Sequence, residues 1–180
     1  PHILGRRSQC AQPLTGPVSQ SRTALSGPIL RWIQARESLM NGMESAPDLN
    51  GRTALVTGSA KRVGRELLLT IAACGADVVV HYRNSADAAE ETAAAAREYG
   101  VDATVVQGDI TDPESVDAMF SAAESALGTV DILVNNVGNF DARHWADIEW
   151  SAFRDTVEST FYGTVLCARR ALDGMRDAGW

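Results

Sequence analysis

The stretch TGSAKRVG, Thr57 to Gly64, lies between an apolar run, Thr53 to Val56, and a helix-like segment that begins near Gly64. A glycine-rich turn that joins a buried strand to a helix lets backbone N–H groups approach a pyrophosphate at the positive end of that helix. It reads as a nucleotide cradle. Two glycines at this spacing also suit a tight turn that binds nothing, so the sequence on either side has to decide.

Downstream, strands alternate with helices. Arg62 to Cys74 has helical spacing, with Val63, Leu67, Leu68 and Ile71 on one face and Gly75 as its stop. Asp77 to His81 holds an unbroken VVV run of the kind buried on both faces in a parallel sheet. An alanine-rich helix is expected from Ser85 to Tyr99 and a third strand from Ala103 to Gln107. Asp112-Pro113-Glu114 is a strong helix start, combining a capping acid, proline at the first helical position and an acid in the first turn. That helix runs to Leu127, and Val130 to Asn135 is the fourth strand. This alternation implies right-handed crossovers and an α/β fold with a doubly wound parallel sheet of the Rossmann type.

The last element runs from Asp147 to Arg176, with Trp150, Phe153, Val157, Phe161, Thr164, Ala168, Leu172 and Met175 at steps of three and four. One face is therefore apolar along its whole length. Either it packs on a sheet strand, or the excess is a contact between subunits.

Residues 1 to 48 differ from this pattern. They mix Pro13, Pro17, Pro28 and Pro47 with Gly, Ser and Gln, hold no acid before Glu37, and offer one short apolar patch, Ile29 to Ile33. Ordering a residue costs about 1 to 2 kcal/mol of backbone entropy, which such a composition cannot offset by burial, so a disordered or non-native extension is expected. An arginine- and serine-rich, acid-poor start also resembles an organelle transit peptide, while Met40 or Met43 is a natural start for the domain at residues 50 to 180. A cytoplasmic protein is the main expectation and an organelle the alternative.

Charge and composition narrow the function. Residues 1 to 50 carry five arginines against Glu37, Glu44 and Asp48, so of the total of −7 the remainder holds −9. An acidic body argues against nucleic acid as a partner. No apolar run approaches the roughly 20 residues that span a bilayer. Cys10, Cys74 and Cys167 are far apart and His2, His81 and His144 are scattered, so neither a disulfide framework nor a metal site is indicated.

In order and spacing, TGSAKRVG, HYRNSA (His81 to Ala86), GDI (Gly108 to Ile110) and DILVNNVG (Asp131 to Gly138) resemble the N-terminal part of the short-chain dehydrogenase/reductase family. The resemblance covers Asn50 to Trp180. Where the family pattern T-G-x-x-x-G-x-G has its middle glycine, this chain has Arg62, as pteridine reductases do, and HYRNS is similar to their second-strand ending. Carried over by position, the resemblance implies that Gly58, Ser59, Arg62, Val63 and Gly64 line the pyrophosphate and adenosine ribose, with Lys61 and Arg62 adding positive charge. It implies that Asp109 and Ile110 hold the adenine and that Asn136, Val137 and Gly138 lie beside the cofactor, Val137 replacing the usual alanine. Asp131 and Asn135 read as structural ties.

The cofactor expected is NADP(H). A fold of this kind that takes NAD has an acid about 20 residues past the glycine turn, bonding the ribose 2′-OH. Here that place reads His81-Tyr82-Arg83-Asn84-Ser85, and Arg83 with Ser85 and Asn84 suits a 2′-phosphate. The catalytic likeness is thinner. Thr160 stands at the family's asparagine, three residues before Gly163, and cannot copy an amide's hydrogen bonding. Lys61 is the only lysine, and Tyr82, Tyr99 and Tyr162 are followed four places on by Ala86, Ala103 and Leu166, so the sequence holds no Tyr-x-x-x-Lys.

Two functions follow as expectations. One is the cofactor half of an oxidoreductase, homo-oligomeric when complete, that moves hydride between a nicotinamide and a carbonyl or imine substrate, with this chain by itself inactive. The other is a non-catalytic nucleotide-binding module that senses a ligand or pairs with a full-length relative. A Rossmann methyltransferase shares the glycine turn but does not explain NNVG at the fourth strand.

Overall fold

The computed structural model describes residues 47–138 and 143–179. The expectation for the N-terminal extension therefore falls, but for its last two residues, outside the described residues. Four parallel strands form one sheet in the order β3-β2-β1-β4: β1 is Thr53–Val56, β2 Asp77–Tyr82, β3 Ala103–Gln107 and β4 Ile132–Val134. Helix α1 (Arg62–Ala73) joins β1 to β2, α2 (Ala86–Arg97) joins β2 to β3, and α3 (Pro113–Leu127) joins β3 to β4. The chain reverses direction across the sheet between β1 and β4. This is the switch point of a doubly wound fold, where ligands enter at the carboxyl ends of the strands.

Alternating side chains of the strands feed two cores. Leu55, Val79 and Val106 point to one face and pack with Val116, Met119 and Phe120 of α3. Val56, Val78 and Val80 point to the other, against Leu68 and Ala72 of α1 and Ala89, Ala93 and Ala96 of α2. Val78, Val79 and Val80 are fully buried, as the unbroken run predicts.

Helix α3 begins as expected, with Asp112 accepting from Ser115 N–H at 3.1 Å and Pro113 at its first position. Helix α1 departs in phase. Its buried residues are Gly64, Leu68, Leu69 and Ala72, while Val63 is 67% exposed and Leu67 half out. The helix is rotated because Gly64 has to meet the preceding turn, which brings the positions four and eight residues later, Leu68 and Ala72, onto the sheet. Strand β4 is shorter than predicted, since only Ile132, Leu133 and Val134 pair with β1. Ahead of it, Asp131 acts as the expected tie, accepting from Thr53 N–H at 2.9 Å and from Arg52 Nη1 at 2.9 Å. Cys167 is buried and free.

The long final helix is interrupted. A 3₁₀ turn, Trp145–Asp147, precedes α4 (Trp150–Val157), a π-helical turn (Glu158–Tyr162) and α5 (Gly163–Ala178). The buried face of α5 is Gly163, Cys167 and Ala171, not the larger residues of the apolar stripe. Trp150 is 70% exposed, Phe161 68% and Leu172 51%. Small residues win because α5 comes close to the loop that follows β3: a Cβ on Gly163 would lie 2.6 Å from Ile110 Cδ1 and 3.1 Å from its carbonyl oxygen. Arg170 then fixes α5 to α3, donating twice to Glu124 at 2.8 and 3.0 Å and once to Asp117 at 2.8 Å, with its guanidinium over the Phe120 ring.

Gly163→Ala is accordingly expected to destabilise the fold by about 1 to 2 kcal/mol, overpacking outweighing the gain in helix propensity. Adding Ile110→Val, which removes the clashing Cδ1, should recover part of the loss in a thermal-denaturation double-mutant cycle. Strict additivity of the two changes would count against this contact.

Candidate functional site

The glycine turn is held from two sides. On the β4 side, the buried Thr57 hydroxyl accepts from Asn136 N–H at 2.9 Å and Val137 N–H at 3.2 Å, and donates to the Val134 carbonyl at 3.4 Å. Asn136 Nδ2 returns a bond to the Thr57 carbonyl at 2.9 Å. On the β2 side, Ser59 N–H donates to the His81 carbonyl at 3.0 Å, and His81 N–H donates to Ser59 Oγ at 3.1 Å.

Both glycines are required by contact. Gly58 has φ +66°, and a Cβ there would lie 2.9 Å from Val137 Cγ2. At Gly64 a Cβ would lie 2.5 Å from both Asn136 Nδ2 and the Gly58 carbonyl oxygen, so the helix start touches the turn's own backbone. Arg62, at the position of the family's middle glycine, keeps a glycine-like backbone with φ +57°. A non-glycine residue in that region carries strain of about 1 kcal/mol or more.

The cleft beyond this turn has a volume of about 360 Å³. Of the residues predicted for the site, Gly58, Arg83, Asp109, Ile110, Val137 and Gly138 line it. Lys61 and Arg62 are exposed at the start of α1 outside that lining, and Asn84 and Ser85 lie at the start of α2, where Ser85 makes no side-chain capping bond. Ser59 is fully buried with its hydroxyl engaged by His81, Asn136 is engaged by the turn, and Val63 faces away. Thr160 lies across from Gly138, its Oγ1 3.9 Å from where a Cβ on that glycine would be.

Sequence reading missed the other half of the lining: His81, Gly108 and Thr111, and Asp155, Glu158 and Ser159 from α4 and the π turn. Asp109 accepts from Thr111 N–H at 2.9 Å and Thr111 Oγ1 at 2.7 Å, which holds its carboxyl below the usual carboxylate range, with Arg83 Nη1 at 3.6 Å adding to the effect. Burial lowers the His81 pKa from its ordinary value, while its bond to Gly108 and the charge of Asp109 pull the other way. Burial pushes the Cys167 thiol up to about 11, so it is no nucleophile at neutral pH.

The cleft fits an anionic dinucleotide on structural grounds. The N-terminus of α1 has no side-chain cap and no acid in its first turn, in contrast to α3. Its partial positive charge is thus uncompensated, with Lys61 and Arg62 alongside. Arg83, within 3.6 Å of Asp109, supplies a third cation, at the rim, and the turn can be approached because Gly58 has no side chain.

Residues 52–180 match the family model for short chain dehydrogenases. The chain belongs to that family. It is 37% identical over 134 residues to a short-chain type dehydrogenase/reductase of Picea abies, covering 68% of this chain and 48% of that protein. It is 34% identical over 143 residues to the NADPH-dependent aldehyde reductase-like protein, chloroplastic, of Arabidopsis thaliana, covering 73% of this chain and 53% of that one. A solved dehydrogenase from Burkholderia cenocepacia with bound NADP superimposes with a TM-score of 0.65 at 28% identity, over 74% of this chain and 51% of the other. The chain spans about half the length of the curated relatives it matches.

Arg62→Gly should relieve the strained backbone and raise stability by up to about 1 kcal/mol, the larger entropy of an unfolded glycine offsetting part of the gain. A lower melting temperature for this variant would mean that the guanidinium makes a contact worth more than the strain.

Proposed function

We propose that this chain forms the NADP(H)-binding part of an oxidoreductase that, in its complete form, moves hydride between the nicotinamide and a carbonyl or imine substrate. The observation that carries the reading is the cleft at the switch point, where a glycine turn and an uncapped helix start stand opposite Arg83, with no acid at the end of β2. Gly58 and the amides of the α1 start would receive the pyrophosphate, and Lys61 and Arg62 would add charge. Arg83, with Asn84 and Ser85, would receive the 2′-phosphate, and Asp109 and Ile110 would hold the adenine. When bound, the nicotinamide supplies or accepts hydride. NADPH and NADP in the names of two similar proteins support the choice of cofactor. The narrower likeness to pteridine reductases rests on Arg62 and the HYRNS stretch alone.

The second reading, a nucleotide-binding module without chemistry, is favoured by Thr160 beside Gly138, at the position of the family's asparagine. A tyrosine whose pKa is lowered by lysine is the family's proton donor, and losing a general acid typically costs a factor of about a hundred to ten thousand. We place this chain by itself among non-catalysts, in the cytoplasm. The exposed apolar face of α4 and α5 is our reason for a homo-oligomer: Trp150 stacks on Phe153, and Trp145 meets the same ring edge-on, with both tryptophans largely in solvent.

Three outcomes check this. Calorimetry should show NADPH binding tighter than NADH by about ten- to a hundredfold, the worth of one charge-assisted bond, with Arg83→Ala abolishing the difference. Equal affinities in the unmodified chain would remove the NADP assignment. The same preparation should show no NADPH oxidation with carbonyl or imine substrates, and measurable turnover would reverse the claim of inactivity. Sedimentation should show self-association that Trp150→Glu weakens, and an unchanged distribution would exclude that face.

A further inference from the structure

His81 is buried, 2% exposed, and every polar atom it has is used within the cradle. Its backbone pairs with Ser59 in both directions. Its Nδ1 accepts from Gly58 N–H at 2.9 Å, which leaves the ring proton on Nε2, and Nε2 donates to the Gly108 carbonyl at 3.1 Å. One neutral ring therefore joins the first glycine of the turn to the end of β3. The imidazolium has a proton on both nitrogens and cannot accept from Gly58, so its formation inside this pocket sets two N–H groups against each other.

We propose that His81 is a positioning residue for the nucleotide cradle, a latch that holds the glycine turn in binding shape only while its ring is neutral. The role is separate from any contact with the ligand, although it rests on the reading of the cleft as a dinucleotide site. The ionisable groups around it are Asp109 at the β3 rim, Arg83 two residues on, and Asp155 and Glu158 across the cleft. From the β1–α1 turn, Gly58 and Ser59 hydrogen-bond to His81, and neither is ionisable. The Asp109 carboxylate is the one near charge that favours protonation, but it is occupied by Thr111 and Arg83.

The sign of the pH effect follows. A histidine whose folded pKa is depressed lends stability in full above its unfolded value of about 6.5, and that stability is lost as pH falls through this value toward the folded one. Nucleotide affinity should follow the neutral fraction, so that below the folded pKa each pH unit costs up to about tenfold.

The test titrates the full chain with NADPH and, separately, NADH between pH 5 and 8, while NMR follows the His81 ring nitrogens and the Gly58 amide. Both nucleotides should weaken together on acidification, which excludes the 2′-phosphate's own titration as the cause, and the Gly58 amide should shift with the His81 ring. His81→Asn places a carbonyl oxygen on the same carbon as Nδ1 and should bind within a few fold of the parent with a flat pH profile. His81→Gln, whose amide reaches toward Gly108 instead, should lose at least tenfold at every pH while circular dichroism shows it folded. A flat parent profile while His81 titrates, or an Nδ1–H tautomer in the NMR, would overturn the latch, as would whole-chain unfolding at the pH where the Gly58 signal moves. If neither nucleotide binds the parent at pH 8, the dinucleotide reading fails, and the coupled Gly58 and His81 signals still decide whether the latch exists.

Discussion

The structure depends on a contact with no room for a side chain, where the start of α1 meets the glycine turn and the segment after β4. Gly64 sits so close to the Gly58 carbonyl and to Asn136 that any Cβ collides with backbone. With that approach made, Thr57 can share one hydroxyl among the amides of Asn136 and Val137 and the carbonyl of Val134. β1 and β4 are thereby fixed at the edge where their connections diverge, and the cleft opens there. A substitution at Gly64 would act on fold and site together, because they share these atoms.

Charge is divided across the cleft. The α1 start brings its uncompensated helix end with Lys61 and Arg62, while α4 and the π turn bring Asp155 and Glu158. An anion is favoured on the first side and disfavoured on the second. Asp109 lies between the two, and its bonds to Thr111 and Arg83 keep it ionised but spend much of its field locally. The π turn contributes by carrying Glu158 and Ser159 to the rim, consistent with the tendency of such irregular turns to occur at functional sites.

Much of the architecture is written locally. The VVV run, the Asp112-Pro113 start and the glycine stops each state their element through backbone preference or burial on both faces, and the strands and helices fall where those signals place them. Four short motifs in register sufficed for the family, and six of the residues they indicate line the cleft. What periodicity misjudged was which face of a helix is buried. In α1 the larger residues Val63 and Leu67 are out and Gly64 is in, and in α5 Cys167 and Ala171 pack while Phe161 and Leu172 do not. Hydrophobicity ranks side chains by size, whereas close approach of a helix to a neighbouring loop selects small ones.

The sequence by itself determined the parallel α/β order, the glycine turn and the cation at the end of β2, because each depends on residues adjacent in the chain. Only the tertiary structure decided the roles of His81, Ser59 and Asn136. His81 reads as one more residue of a strand until β3 brings the Gly108 carbonyl to one of its nitrogens and the turn brings Gly58 N–H to the other. Ser59 and Asn136 carry polar groups that suit a ligand equally well, and folding commits them to backbone partners 22 and 79 residues away. Hydrogen-bond partners distant in sequence are chosen by the packing that brings them together, and no local pattern encodes that choice.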